Sequence, residues 1–466
     1  MLQRPTLYRL QAFLDVTPQK GQDLLDNSLF VLDSITCNDV LGTMPSLGGA
    51  NFHRMEGLPL FGMAQPNQNG IQKLFEHMTK ERKYSHVFFI NLRNNLCTFI
   101  KNEAYYLSCK SESLKPRLHH PDDTHFEDIE SSLSASITQM PIMLIKDLKK
   151  EPEKIDATMV FTTKEVFQMA EEKFHNMSYF RVPLPSDYAV NENVLDDLMG
   201  MLTDAESQFR NSSQDLKHQR SSTNSGSFLL PSQKSGAEIL YKRRSSNSSN
   251  MQSRGSSECA VTTVPFNPVY CFFCSNGIER STFAMAASAL FMYNKSGYPP
   301  GTRPGEQERV SIANAEYTMG KFLAVKHIVM ILPDGYQVKR EVDFVLDKLF
   351  EMMSTTHFHL REMILVTYNQ AQKSTSQKAQ RELYIQSLLL LERYIYLILF
   401  NGYLHTEKKP RRKTFRQWME KDCKRAGVYR LLNDLAFHDF QTEICTLSTL
   451  RERWRELNKL EDGEFV

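Results

Sequence analysis

The feature that most constrains this chain is the segment 274–282, which reads Cys-Ser-Asn-Gly-Ile-Glu-Arg-Ser-Thr. It follows an apolar, β-rich run over residues 264–273 and precedes a helix-forming stretch over residues 284–293. A strand, a tight loop and a helix in this order place backbone N–H groups and a helix N-terminus around an anion. The segment therefore predicts a loop that holds a phosphate group.

The residue types in the segment suit phosphate chemistry as well as phosphate binding. Arg280 would supply a planar, two-pronged clamp for phosphoryl oxygens. In the positive field of Arg280, the loop N–H groups and the helix N-terminus, Cys274 can ionise and attack phosphorus. Ser281 or Thr282 would donate a hydrogen bond to the thiolate that leaves when a phosphocysteine is hydrolysed. Gly277 would let the loop turn sharply without a side chain that blocks the ligand.

The remaining loop positions are Ser275, Asn276, Ile278 and Glu279. Two functions follow from the pattern: a cysteine-dependent phosphatase, or a protein that keeps the loop only to bind a phosphorylated ligand. Neither function calls for a metal ion or another cofactor. If the segment has no binding or catalytic function, Cys274 is a buried structural cysteine at the end of a strand, which is the commonest fate of a cysteine.

Cys271 and Cys274 also form a Cys-x-x-Cys pair. A zinc site would need a second pair of ligands at suitable spacing, and the sequence shows none. A redox motif of the thioredoxin type would need the pair to open a helix, whereas Cys271 lies within the predicted strand, on the face opposite Cys274. The phosphate loop is therefore the preferred interpretation.

Asp187 is the candidate general acid, because a cysteine phosphatase must protonate the leaving oxygen. Residues 179–187 read Tyr-Phe-Arg-Val-Pro-Leu-Pro-Ser-Asp, so Asp187 follows a predicted strand on a loop bounded by prolines. Catalytic residues concentrate on such loops. An ordinary turn or N-cap aspartate is the alternative interpretation of the same spacing.

Composition narrows the class of protein. The chain has 466 residues, 41% of them hydrophobic, which is enough for one large domain or two smaller ones. A net charge of +2 does not indicate a nucleic-acid partner, and eight cysteines at irregular spacings do not form a disulfide framework. Residues 1–15 lack the apolar core of a signal peptide. We therefore expect a cytosolic protein, with peripheral recruitment to membranes left open.

The longest apolar run, residues 388–400, contains Glu392 and Arg393 near its middle. Charges at the centre of a membrane span are costly, so the run predicts a buried helix and no transmembrane segment.

Patterning along the chain predicts strands and helices in alternation, followed by a helical tail. A strand or loop is predicted over residues 57–64, strands over 87–92, 158–161 and 179–184, a hairpin over 96–107, and helices over 71–79, 126–138 and 163–174. The tail has helical spacing over residues 322–332, 341–353, 380–404 and 413–435. The fold class is therefore α/β, with a large helical C-terminal extension.

Four segments follow from this organisation. Residues 1–50 form a lead-in segment, residues 51–330 an α/β domain, and residues 331–466 a helical C-terminal region. Within the α/β domain, residues 210–258 are dominated by Ser, Asn, Gln, Lys and Arg. Such a composition cannot bury enough apolar surface to offset its ordering entropy, so we predict a disordered insertion there.

Several of these stretches resemble the phytase-like branch of the protein tyrosine phosphatase superfamily. The resemblance is carried by residues 51–54 and 61–66, by Asn91-Leu92-Arg93, by Arg181-Val182-Pro183 with Asp187, and by residues 332–335, 359–362 and 391–405. It covers roughly residues 50–460 apart from the Ser-rich insertion. The members that are most similar carry two such repeats, whereas this chain shows one.

The resemblance implies a phosphatase-like central sheet flanked by helices. It also implies that Cys274 is the nucleophile, Arg280 the phosphate clamp and Asp187 the acid. The substrates would be phosphotyrosine, a phosphoinositide or an inositol phosphate. The alternative within the same family is an inert pseudophosphatase, which would bind phosphorylated ligands and use the helical tail to scaffold signalling proteins.

Three positions depart from the family pattern. Glu279 stands where most members have glycine, and its carboxylate would weaken phosphate binding if it pointed inward. It could instead point outward or serve as another acid, and cell-cycle phosphatases with a rhodanese fold work with glutamate at this offset. Phe273 replaces the usual histidine before the cysteine, and Asp187 lacks the usual downstream proline.

Overall fold

The computed structural model describes residues 8–9, 28–109, 130–131, 134–135, 137, 141–147, 149–155, 159–185, 190, 192–221, 267–299, 322–353, 358–407, 411–433 and 435. In chain order, its strands are β1 (Tyr8–Arg9), β2 (Ser28–Leu32), β3 (His53–Arg54), β4 (Leu60–Ala64), β5 (His86–Asn91), β6 (Cys97–Ile100), β7 (Glu103–Cys109), β8 (Ile142–Ile145), β9 (Glu153–Ile155), β10 (Val160–Thr162), β11 (Met177–Arg181) and β12 (Pro268–Cys274).

The helices follow the same order along the chain. They are α1 (Asp33–Thr36), α2 (Met44–Leu47), α3 (Gln68–Glu76), α4 (Thr163–Lys173), α5 (Glu192–Ser221), α6 (Glu279–Ser296), α7 (Leu323–Ile331), α8 (Gly335–Met353), α9 (Leu360–Lys373), α10 (Gln377–Thr406), α11 (Phe415–Trp418) and α12 (Val428–Asn433). Short π-helical turns, His77–Glu81 and Met419–Cys423, continue α3 and α11.

A five-stranded sheet in the order β11-β5-β12-β4-β3 forms the centre of the α/β part. Its first four strands are parallel, and β3 is antiparallel to β4. Strands β5 and β12 read as nearly continuous apolar runs because both faces of a parallel sheet are covered. The carboxyl ends of parallel strands lie at one edge of the sheet, so the segments after β4, β5, β11 and β12 meet there.

A second sheet has the order β10-β6-β7-β2-β8-β9, with β1 paired to β7. Strands β6 and β7 form the hairpin predicted over residues 96–107. Strand β2 is hydrogen-bonded between β7 and β8, although the sequence assigned its residues to a lead-in segment. The chain immediately after β2 contributes Asp33, whose partner is described below.

Helix α6 joins the central sheet to the helical tail. It follows the segment 275–278 directly, packs on β4 and β12, and is itself covered by α8 and α10. Its small and apolar side chains are buried almost throughout.

Helix α10 is buried from Ser387 to Leu404. By length and composition α10 could cross a membrane, yet 78% of its apolar stretch is buried within the protein. That pattern is the one expected of a core helix, which agrees with the burial predicted for residues 388–400.

Most predicted elements within the described residues are confirmed. The helix predicted over residues 126–138 lies largely outside the described residues, and the helical stretch predicted over 413–435 is divided into α11, a π-helical turn and α12. Helix α4 begins as predicted after Thr162, which forms a reciprocal cap with Glu165. The strand predicted over residues 179–184 lies earlier, at β11, because the chain leaves the sheet before its prolines. Helix α9 was not among the predicted segments.

The chain divides into two units, one formed by residues 1–202 with 267–466 and the other by residues 203–266. In the second unit the structure describes helical backbone to Ser221, so helix α5 covers the first part of the segment assigned to the insertion. Residues 222–266 lie outside the described residues. The insertion and the four segment boundaries therefore stay predictions.

Candidate functional site

Cys274 ends β12, is fully buried, and is the first residue of the segment 274–282. Its sulfur accepts a hydrogen bond of 3.2 Å from the backbone N–H of Gly277 and lies 3.3 Å from Asn276 Oδ1. Ser281 Oγ is 3.8 Å from the same sulfur. The loop therefore folds around the thiol, as a phosphate-loop geometry requires.

Of the two hydroxyls that follow Arg280, Ser281 is the one that contacts Cys274. Thr282 instead donates to the carbonyl of Ile278 and lies 3.5 Å from the sulfur of Met353 on α8. Thr282 thus stabilises the first turn of α6, and Ser281 remains the candidate donor to a leaving thiolate.

Gly277 has a φ of +69°, in the left-handed region that favours glycine. A Cβ atom at this position would lie 2.2 Å from the backbone nitrogen of Ala64, in β4. The glycine is therefore required because the loop approaches the neighbouring strand closely, rather than to keep a side chain away from a ligand.

Arg280 is 3% exposed, and its guanidinium reaches three segments. Nη1 donates to Asn94 Oδ1 at 2.9 Å and to the carbonyls of Leu92 and Leu184 at 3.3 Å each. Nη2 donates to Ser275 Oγ at 2.8 Å. The side chain is thus anchored through Nη1 to the segments after β5 and β11, which fixes the orientation of its planar fork.

Asn94 was missed by the sequence analysis, although a signal was present. It lies three residues beyond β5, the strand beside β12, and is 8% exposed. Polar side chains just past the carboxyl ends of adjacent parallel strands are candidates for a shared site. The sequence 93–95, Arg-Asn-Asn, fits that rule.

The segment predicted to carry the acid is described as far as Pro185. Val182 and Leu184 donate backbone hydrogen bonds to the carbonyls of Asn91 and Leu92, so the segment runs alongside the end of β5. Asp187 lies outside the described residues, and its assignment as the acid stays a prediction. What the structure adds is the contact between Arg280 and the carbonyl of Leu184.

Glu279, one of the three departures from the family pattern, is the first residue of α6. Its Oε2 lies 3.7 Å from Nη1 of Arg393, on α10, and its side chain is 29% exposed. A carboxylate in the first turn of a helix is also favoured by the helix dipole. This geometry favours the outward orientation over the alternative in which Glu279 serves as an acid.

Asn51 joins the N-terminal segment to the loop. Its Nδ2 donates to the carbonyls of Asn276, at 2.9 Å, and Asn38, at 2.8 Å. Its Oδ1 accepts from the N–H groups of Val40 and Leu41. Residues 38–51 are therefore held against the loop that contains Asn276.

Cys37 also contacts the loop, since its thiol donates to the carbonyl of Asn276 at 3.6 Å. Burial, assisted by the nearby Asp33 and Cys274, raises the pKa of Cys37 to about 12. Cys37 is therefore a neutral thiol at neutral pH.

A buried bidentate ion pair supports the segment after β5. Arg93, fully buried, donates from both terminal nitrogens to the carboxylate of Asp33 at 2.8 Å each. Burial alone would lower the pKa of Arg93, but the Asp33 carboxylate raises it. The carbonyl of Arg93 accepts from Arg181, which also pairs with buried Glu130 at 2.9 Å. Burial raises the pKa of Glu130, and Arg181 opposes the shift.

Cys271 lies in the apolar core on the side of the sheet away from Cys274. Burial raises the pKa of its thiol well above the ordinary range, as expected for an inert core cysteine. Both cysteines are free thiols. Within the described part of the chain, no three His, Cys, Asp or Glu side chains are grouped so as to hold a metal ion.

The parallel sheet, the loop around Cys274 and the anchored Arg280 together define an α/β protein with a cysteine- and arginine-containing loop at the carboxyl edge of its central sheet. Residues 90–292 match the model of the PTP-like phytase family, whose description reads "Inositol hexakisphosphate". Over almost its whole length, the chain is similar to the paladins. It is 30% identical to Paladin of Xenopus tropicalis over 98% of this chain and 47% of that protein, and 29% identical to Paladin of Homo sapiens over 97% and 45%.

The chain spans about half the length of the curated relatives it matches. Among solved structures, a PTP-like phytase from Bdellovibrio bacteriovorus is similar at 10% identity, over 84% of this chain and 95% of that chain, with a TM-score of 0.40. The tandemly repeated PTP-like phytase from Mitsuokella multacida is similar at 12% identity, over 58% and 38%, with a TM-score of 0.35.

Proposed function

We propose that this protein is a cysteine-dependent phosphatase that hydrolyses a phosphomonoester through a phosphocysteine. The observation that carries the proposal is the arrangement around Cys274, whose sulfur receives the Gly277 N–H at 3.2 Å and lies 3.8 Å from the Ser281 hydroxyl. A structural cysteine at a strand end needs neither an inward N–H donor nor an arginine fixed beside it. Both are what a thiolate nucleophile and a phosphoryl group need.

In the first step, the Cys274 thiolate attacks phosphorus in line with the bond to the leaving oxygen. The S–P bond forms as the P–O bond breaks, and Asp187 gives its proton to the leaving alcohol or phenol. The N–H groups of the loop and the guanidinium of Arg280 stabilise the charge on the three equatorial oxygens.

In the second step, water attacks the phosphocysteine, and the Asp187 carboxylate accepts a proton from the water. The P–S bond breaks, inorganic phosphate forms, and the sulfur leaves as a thiolate. The Ser281 hydroxyl is the group placed to donate a hydrogen bond to that thiolate.

Inositol phosphates are the first substrates to assay, since the matching family model names inositol hexakisphosphate. Phosphotyrosine and phosphoinositides complete the set. In this proposal the protein works in the cytosol, as composition suggested. The inert pseudophosphatase is the competing outcome, in which the same loop binds a phosphorylated ligand without turnover.

Turnover by the wild type, Cys274→Ser and Asp187→Asn on these three substrate panels tests the proposal. We expect at least one substrate on which the wild type exceeds Cys274→Ser by more than about a thousandfold, as for the loss of a nucleophile. On that substrate, Asp187→Asn should be slowed by about a hundredfold or more.

A phosphocysteine trapped by rapid acid quench and located at Cys274 by mass spectrometry would identify the nucleophile directly. A wild type no faster than Cys274→Ser on every substrate would leave only the pseudophosphatase. If Glu279→Gln slowed turnover and Asp187→Asn did not, the assignment of the acid would be wrong.

A further inference from the structure

We propose that Arg393, on α10, is a positioning residue for the phosphate loop. It holds the carboxylate of Glu279 away from the bound anion, so that a loop with glutamate before its arginine can still bind a phosphate group. The inference rests on the proposed function only in requiring that the loop binds an oxyanion.

Arg393 is 2% exposed and uses the two ends of its guanidinium on different segments. Nη1 lies 3.7 Å from Glu279 Oε2, and Nη2 donates to the carbonyl of Pro185 at 2.8 Å. The bond to Pro185 fixes the plane of the guanidinium, and that plane sets where the Glu279 carboxylate can lie.

The charges near the loop show why this placement matters. Arg280 contributes one positive charge and Glu279 one negative charge, so these two side chains alone sum to zero (+1 − 1 = 0). A thiolate at Cys274 would make the sum negative, which opposes the entry of a phosphate dianion. Arg393 restores one positive charge and attracts the carboxylate toward α10.

Helix α10 is suited to hold this side chain in place. It is buried from Ser387 to Leu404 and packs against α6, which begins at Glu279. Tyr396 lies three residues beyond Arg393, on the same side of the helix, and donates to Glu192 Oε1 at 2.8 Å. The helix that carries the arginine is therefore anchored at a second point on the α/β part of the chain.

Binding of tungstate, a phosphate-like oxyanion, tests the inference without requiring turnover. Dissociation constants would be measured by calorimetry for the wild type, Arg393→Met, Glu279→Gln and the double variant. We expect Arg393→Met to weaken tungstate binding by about tenfold or more, and the added Glu279→Gln to restore it to within about threefold of the wild type. Restored tungstate affinity in the double variant would show that Arg393 acts through Glu279, because a general loss of structure would not be reversed by Glu279→Gln.

Arg361→Met is the matched control, because Arg361 is also a buried arginine of the helical tail, paired with Asp343 and Asp347. It should leave tungstate affinity within about threefold of the wild type, with or without Glu279→Gln. If Arg393→Met does not fold, Arg393→Ala and Arg393→Gln, which also lack the charge, are measured in the same way, each with and without Glu279→Gln.

A double variant as weak as the single variant would overturn the inference, and so would wild-type affinity in Arg393→Met. Failure of every Arg393 variant to fold, even with Glu279→Gln, would also overturn it, because the residue would then be a structural one. A wild type that binds no tungstate would overturn the proposed function, and this inference with it.

Discussion

The side-chain oxygen of Asn94 accepts a hydrogen bond of 2.9 Å from Nη1 of Arg280, across 186 residues of sequence. The bond links the segment after β5 to the first turn of α6. Because it is made by an amide and not by a carboxylate, it orients the guanidinium without cancelling its charge.

Asn94→Ala should therefore weaken oxyanion binding more than it weakens the fold. Loss of a hydrogen bond to a charged group costs about 1.5–3 kcal/mol, which corresponds to about ten- to a hundredfold in affinity. The measurement is tungstate affinity together with the urea midpoint. Asn95→Ala is the control, because Asn95 accepts from Arg93 Nε instead. Equal losses of affinity in the two variants would contradict an anchoring role specific to Asn94.

Gly277→Ala should disrupt the loop because the added Cβ atom would collide with the backbone of Ala64, in addition to the strain of a positive φ angle. Gly42 has a similar φ of +65°, but a Cβ atom there would meet nothing within 4 Å. Gly42→Ala should therefore cost about 1 kcal/mol of unfolding free energy, whereas Gly277→Ala should cost about 3 kcal/mol or more and abolish oxyanion binding. Urea unfolding of the two variants gives the comparison. Equal costs would show that the loop can move away from Ala64.

Asp33→Ala should be strongly destabilising, because it leaves the buried guanidinium of Arg93 without its carboxylate. Breaking one partner of a buried pair costs about 3–5 kcal/mol. The ion pair between Lys146 and Glu153 is as short, at 2.7 Å, but both side chains are about half exposed. Glu153→Ala should therefore have little effect on the urea midpoint. A small effect of Asp33→Ala would mean that water or another group reaches Arg93.

His53 should make the fold sensitive to acid. Burial lowers the pKa of His53 to about 4, although the bond from Nδ1 to the carbonyl of Asn51 opposes the shift. The unfolded chain, with a histidine pKa near 6.5, then binds the proton first, so stability falls as the pH drops from about 6.5 to about 4. The loss for this group is on the order of 3 kcal/mol.

Urea midpoints at pH 7 and pH 5 measure the part of this loss that falls between these two pH values. His53→Gln, which can still donate to Asn51 but does not titrate, should shrink the difference between the two midpoints. His175→Gln, at an exposed position, is the matched control. An unchanged difference in His53→Gln would assign the acid sensitivity to other groups.

Local pattern was enough to predict the strand, loop and helix around Cys274. An apolar, β-rich run predicted β12, a helix-forming stretch predicted α6, and the residue types between them indicated an anion. The same kind of pattern placed α8 and α10, whose apolar stripes repeat at three- and four-residue steps.

Contacts between distant segments could not be predicted in this way. Nothing near Asn51 or Asp33 in sequence indicates that one reaches Asn276 and the other Arg93, because those contacts depend on how two sheets and their loops meet. The role of Arg393 could not be predicted from the sequence for the same reason. In sequence it only interrupts an apolar run, and its partners, Glu279 and Pro185, are brought to it by the fold.

The position of β12 between β4 and β5 has a consequence for how the chain can be divided. The region that matches the family model, residues 90–292, does not contain β4 or α10. It also begins within β5, so that it lacks the first residues of that strand. A fragment cut to that region would expose the edge of β12 and the buried face of α6, both prone to self-association. Changes in β4 or α10 can therefore disable the loop at Cys274 as effectively as changes within residues 274–282 themselves.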